Sequence, residues 1–241
     1  MEFTTVNDIL NRAAVELGFD PSVDALASTN SAFVQLHYLL DSAGQELVGM
    51  YDWQALKTQY SASTASSFSG AYTMPVTFDH VVHGTVWDTT NLLPILGPIT
   101  SQEYRVLTGS GITTGTGGNL VYLINGNVFQ VYPNSPVPTG TITFDYISNG
   151  WVDEASHSAQ YNTVQSSGNL VRFEPRLIIS FLKLKFLEAK GFDSSAAKET
   201  FADCFDTATG RDKGARILNA GGAYTSFKYL GLDNIPITGL G

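Results

Sequence analysis

A single cysteine, Cys204, stands in the whole chain, so no intrachain disulfide can staple it. Charge is scarce too: Asp, Glu, Lys and Arg make up 15% of the 241 residues, against about 25% in an ordinary soluble domain. Bases are the scarcer sign. A net charge of −9 and a pI near 4.7 argue against a protein that reads nucleic-acid phosphates. Long apolar runs are missing. The richest stretch, Leu177 to Leu187, is broken by Ser180, Lys183 and Lys185 and is too short to cross a bilayer. No basic region followed by an apolar run opens the chain, so no secretory signal is expected. Catalytic signatures are absent as well: there is no Gly-x-Ser-x-Gly, no His-Glu-x-x-His and no Cys-x-x-Cys. No enzymatic activity, cofactor or metal is expected on these grounds.

Apolar residues, by contrast, make up 43% of the chain. A chain this apolar and this short of charge suits a protein that hides surface in an assembly, or a β-rich domain solvated by Ser, Thr and Asn. The charge is also unevenly placed. Residues 1–53 carry eight acids and one base, Arg12, whereas residues 171–216 carry nine bases and seven acids. Two helical halves of opposite bias can attract each other within a bundle or across a subunit boundary, which sets register more than stability.

Helical periodicity marks both ends of the chain. Thr5 with Asp8 three residues on is a capping-box variant. Val6, Ile9, Leu10, Ala13, Ala14 and Leu17 then form one apolar stripe, with Gly18 as a stop. A second helix starts near Ser28 or Asn30. Its stripe is Phe33, Leu36, Leu40, Ala43, Leu47 and Tyr51, with Gly44 placed for close approach of a neighbouring helix and Trp53 at the exit. Glu174-Pro175 opens a third helix, which Gly191 ends. Leu177, Ile178, Phe181, Leu182, Leu184 and Leu187 give it a broad apolar surface that suits the centre of a bundle. Asp193 or Ser194 caps a fourth helix, with Ala197, Phe201, Cys204, Phe205 and Ala208 on one face and Gly210 as its end.

Between these halves the residues alternate as a pleated surface does. Strands are expected over Ala55–Ser61, Gly70–Met74, Val81–Asp88, Leu120–Ile124, Val128–Tyr132 and Thr141–Ile147. Asn125-Gly126 predicts a type I′ hairpin turn, and Pro133, Pro136 and Pro138 end the strand after it. Thr108–Asn119 reads as a Gly/Thr loop and Gly150–Asn169 as a long polar loop with room for a short strand. His80 and His83 lie three apart, on opposite faces of a strand, and cannot share a metal. Asp153 and Glu154 are adjacent acids with no partner motif to make them a glycosidase pair.

The last stretch, 214–241, has no helical period. Glycines at 214, 221, 222, 231, 239 and 241 oppose regular helix. Its many aromatic and aliphatic residues set it apart from an ordinary polar tail. It reads as an extended arm that docks on a partner, with Tyr224, Phe227, Tyr229, Leu230 and Ile235 as the partner-binding anchors; packing against the chain's own β block is the alternative.

Taken in order, these pieces resemble the head-to-tail adaptor (connector) proteins of short-tailed bacteriophages. The likeness rests on a helical pair ending in Trp53, then Tyr72-Thr73-Met74-Pro75, Leu93-Pro94-Ile95 and Ser101-Gln102-Glu103-Tyr104. It continues through the unit from Tyr122 to Pro133, Phe144-Asp145-Tyr146, Glu174-Pro175 and Lys190-Gly191-Phe192-Asp193. It covers residues 5 to 209, and Gly150–Asn169 has no counterpart in it.

The resemblance implies an α+β fold: a helix bundle formed by N- and C-terminal helices (1–53 and 171–213), an inserted antiparallel β domain (54–170) and an extended C-terminal arm (214–241). It also implies a structural virion protein at the head–tail junction. There a homo-oligomeric ring, commonly of twelve subunits, joins the portal protein to the tail nozzle protein. Double-stranded DNA would pass through without specific binding, since lumenal carboxylates repel phosphates. Two other classes compete. One is a glycan- or receptor-binding β module of a tail appendage, using exposed Trp87 or Trp151 as a sugar platform. The other is a polysaccharide hydrolase built around Asp153.

Overall fold

The structure, a computed structural model, describes residues 3–63, 71–110, 120–133 and 140–212. It is an α+β fold with five α-helices among the described residues: α1 (Val6–Glu16), α2 (Ser31–Met50), α3 (Ser101–Ser110), α4 (Pro175–Lys190) and α5 (Ser195–Asp212). The strand pairs of its sheets, among the described residues, are antiparallel, and an isolated bridge between Leu96 and Val121 is parallel.

The helices at the chain ends form where the local signals lie. Thr5 Oγ1 accepts from the Asp8 amide at 3.1 Å and donates to the Asp8 carboxylate at 2.8 Å. Asn30 caps α2 by accepting from the Ala32 amide at 3.0 Å. Pro175 begins α4, and Gly191 closes it at φ 70°. The expected end of α5 at Gly210 is corrected: the helix runs on to Asp212. Gly210 is helical there, because nothing forces a left-handed turn at that position.

Helix α4 lies against α1, α2 and α5, and one apolar cluster joins their buried faces. Leu36, Leu40, Leu177 and Leu182 are sealed from solvent within it. Each such side chain contributes about 1.5–3 kcal/mol from burial.

Twelve short strands, counted among the described residues, form three sheets. A four-stranded sheet of order β1-β12-β10-β11 consists of β1 (Thr4–Thr5), β10 (Val152–Asp153), β11 (Gln160–Tyr161) and β12 (Leu170–Val171). It ties the start of the chain to the entrance of α4. The stretch expected to be a polar loop, Gly150–Asn169, therefore holds two strands, and Trp151 and Val152 are fully buried beside the helices.

A second sheet is centred on β9 (Thr141–Ser148), with β2 (Lys57–Ser63) along one edge in register from Lys57↔Ile147 to Ser63↔Thr141. Strands β4 (Phe78–Val81) and β5 (Trp87–Asp88) share the other edge, and β6 (Leu93–Pro94) lies outside β5. The single strand expected over Val81–Asp88 is thus two. The break has a local cause: the Thr85 hydroxyl donates to Val82 O at 2.7 Å and accepts from the Asp145 amide at 3.1 Å, standing where ladder backbone would be.

A third sheet of order β3-β8-β7 holds β3 (Ala71–Thr73), β7 (Val121–Asn125) and β8 (Val128–Tyr132). The hairpin forms as expected, but its two-residue turn is Gly126-Asn127, closed by the Asn125↔Val128 pair. Positive φ occurs at Gly126 (57°) and not at Asn127. Type I′ needs it at both central residues; a positive angle at the first alone is the II′ pattern. Tyr122, Phe129 and Phe144 stack at 4.9 Å centroid spacings and join the second and third sheets into one apolar cluster.

Helix α3 falls outside the sequence expectation. Thr100 and Glu103 cap it reciprocally: Glu103 Oε2 accepts from the Thr100 amide at 2.7 Å, and Thr100 Oγ1 accepts from the Glu103 amide at 3.2 Å.

Candidate interaction site

Asp153, Glu154 and His80, side chains with potential for chemistry, all have structural partners. Asp153 is 3% exposed, and its carboxylate lies 3.0 Å from Arg172 Nε and 3.2 Å from His157 Nδ1. Gln160, with its amide oxygen turned to Arg172, accepts from both Nη atoms at 3.0–3.1 Å. The neighbouring Glu154 carboxylate accepts from the Ser158 hydroxyl. The adjacent acids therefore have separate partners, Asp153 within β10 and Glu154 just beyond its end. His80 bridges Asp79 and Asp52 at 2.7 and 3.3 Å, while His83 points to solvent. Among the described residues no cluster of His, Cys, Asp and Glu is fit to hold a metal. No described helix is long and apolar enough to cross a membrane.

The proposed sugar platform at Trp151 is corrected. This indole is sealed against Gly44 and Phe173, and its Nε1 donates to Asn162 O at 2.8 Å. Trp87 is 38% exposed, beside Leu92 and Leu93 on the β5–β6 turn. Buried Asp88 holds that turn, accepting from the Thr90 and Asn91 amides at 3.0 and 3.1 Å. Leu92 sits there with φ 56° and is 71% exposed. A fixed turn that lifts leucines into water is suited to contact.

Two grooves flank the helical core. One, of about 460 Å³, is floored by α4 and walled by α1 and α5, with Ile179 and Cys204 at its apolar bottom. Arg12, Arg176 and Lys183 line its rim together with Glu16 and Glu174. The two acids are already paired, Glu16 with Lys183 at 2.6 Å and Glu174 with Arg211 at 3.2 Å. The other groove, of about 380 Å³, lies by Trp53, Phe173 and Ala208 at the C-terminal end of α5. The anchors Tyr224, Phe227, Tyr229, Leu230 and Ile235, with the whole 214–241 arm, lie outside the described residues.

Sequence reasoning singled out neither groove, because each is made by side chains from segments far apart in the chain. A signal was present all the same: Arg12 is the sole base of an acidic half, and Arg176 sits in the first turn of a helix, where a cation is disfavoured. Comparison with protein-family models and with curated proteins gives no match.

Proposed function

We propose that this chain is a head-to-tail adaptor: a structural, non-enzymatic virion protein that forms a ring between the portal and the tail nozzle of a short-tailed bacteriophage and lines part of the DNA conduit. The observation that carries the reading is the joining of the two chain ends. Helix α4 packs on α1 and α2 across more than a hundred residues of sequence, and the β segments between them own a second apolar cluster. This arrangement supports a bundle made from both ends of the chain with an antiparallel β domain inserted. The stretch around Trp151, Val152 and Val164 joins the helical side.

The low charge, the exposed Leu92 and Val106, and the acidic balance fit a protein that meets others side by side around a channel that DNA must not adhere to. The ring would be a closed heterologous assembly, twelve copies by the resemblance. Full-length chain is to be added to portal-bearing, tail-less heads, which are then cross-linked and imaged by negative stain. A ladder of cross-linked oligomers and a ring under the portal are expected. Single isolated copies, or no binding, would overturn the reading.

A further inference from the structure

We infer that the groove between α1, α4 and α5 receives the α1–α2 loop of a second copy of this chain, with Val23 seated on Ile179 and Cys204, Asp20 meeting Arg176 and Asp24 meeting Arg12. The inference rests on the ring reading above and names the contact that would close the ring.

The groove is one half. Its floor is apolar, and on its rim Lys183 is paired with Glu16 and Glu174 with Arg211. Arg12 and Arg176 are exposed and have no ion-pair partner among the described residues. Arg176 stands in the first turn of α4, where the positive end of the helix dipole disfavours a cation. An anion from outside the protomer would relieve that placement.

The loop is the other half. Asn7 and Asn11, one helical turn apart on α1, hold it through four hydrogen bonds. Asn11 donates to Ser22 O and accepts from the Ser22 amide, both at 2.8 Å. Asn7 donates to Val23 O at 3.3 Å and accepts from the Ala25 amide at 2.9 Å. A loop held this firmly loses little entropy on docking. At its tip Val23 is 100% exposed, between the acids Asp20 and Asp24.

An apolar knob flanked by carboxylates thus matches an apolar floor flanked by guanidiniums. Knob and groove are different surfaces of one protomer. The contact is therefore heterologous and repeats from copy to copy, as a ring requires.

The test compares the full-length wild type with V23D, D20R, R176E and the double variant D20R/R176E. Self-association of the free chain is read by native mass spectrometry and sedimentation velocity, and that of head-bound chain by cross-linking. All three substitutions fall on exposed side chains, so unchanged melting is required of every variant. Each single variant is expected to weaken association at least about tenfold, and the double variant to recover most of the loss. Single variants that associate like wild type would overturn the contact, as would wild-type copies that contact each other neither free nor on heads. R176E rings that still form on heads would overturn this contact and leave the adaptor reading standing. Wild type that self-associates in an R176E-sensitive way but never binds heads would do the reverse.

Discussion

Gly44 and Trp151 touch so closely that no side chain fits between them: a Cβ at position 44 would stand 2.2 Å from Cε2 of the indole. The Trp151 ring lies across α2 at this glycine and is wholly buried. Sequence reading expected a second helix to approach here; the neighbour is instead the tryptophan that leads into β10.

Gly44→Ala is therefore expected to destabilise. Ala gains about 1 kcal/mol of helix propensity over Gly in a helix interior. Displacing a buried indole costs about 1–3 kcal/mol by overpacking, and occasionally more. Trp151→Ala should cost about 3–5 kcal/mol through the cavity it leaves. Urea unfolding of both variants measures the two losses. A G44A variant more stable than wild type would show that the indole is free to shift.

The terminal helices were legible because their signals are local. Thr5, Asn30 and Pro175 cap or start helices within a few residues of the stripes they serve. Helix α3 was missed although Thr100-x-x-Glu103 announces it, because the Gly/Thr-rich stretch after it suggested only loop. Trp151 and Val152 read as loop because their burial comes from α2, a hundred residues earlier. The grooves were illegible for the same reason: no spacing in the chain records that Arg12 and Arg176 share a rim.

Leu182→Asp tests the joining of the chain ends. Leu182 is fully buried in the cluster that α1, α2, α4 and α5 share. A carboxylate there would lack a partner and water, a loss expected to exceed about 4 kcal/mol. Circular dichroism should show an unfolded or strongly destabilised protein. An unchanged melting temperature would contradict the packing.

Arg172 and Asp153 form a pair buried enough for its halves to depend on each other, with side chains 15% and 4% exposed. Arg172→Met leaves the carboxylate without its guanidinium and should cost about 3–5 kcal/mol. The double variant D153N/R172M removes the stranded charge and should recover a large part of that loss. Chemical denaturation of the single and double variants gives the comparison, and equal losses would mean the charge was never stranded.

Asp41 makes stability depend on pH. Burial raises the pKa of its carboxyl above the ordinary aspartate value, against the opposing pull of the Val164 amide and of His37. An acid raised in the folded state holds its proton more tightly folded than unfolded. Its ionisation therefore opposes folding: this part of the stability falls as pH rises from the unfolded pKa through the folded one, and the penalty is complete above that. Asp41→Asn removes the charge and keeps an acceptor for the Val164 amide, bonded at 2.8 Å. Its stability at neutral pH should equal or exceed that of wild type, with a flatter profile across the acidic range in which Asp41 ionises. Asp41→Ala should lose about 1 kcal/mol, because the Val164 amide is left without its acceptor. Urea melts across that range separate the two, and an N variant with the wild-type slope would exclude Asp41 as the source.

Removing the arm separates folding from attachment. Among the described residues the last one buried in the helical core is Ala208, and Asp212 accepts from the Gln54 amide at 2.9 Å. Deleting everything after Ala215 spares both, so the melting temperature should stay close to that of the full chain. The deleted stretch carries Tyr224, Phe227, Tyr229, Leu230 and Ile235, large apolar groups of the kind that dominate binding energy at interfaces. Its glycines oppose a regular helix, so an extended strap across a partner surface is the form that would use all five. The truncated protein is expected to lose attachment to portal-bearing heads while contacts between copies through the α1–α2 loop persist. Binding assays on heads, run beside native mass spectrometry of the free chain, resolve the two effects. Full-strength docking of the truncated protein would remove the arm from the joint.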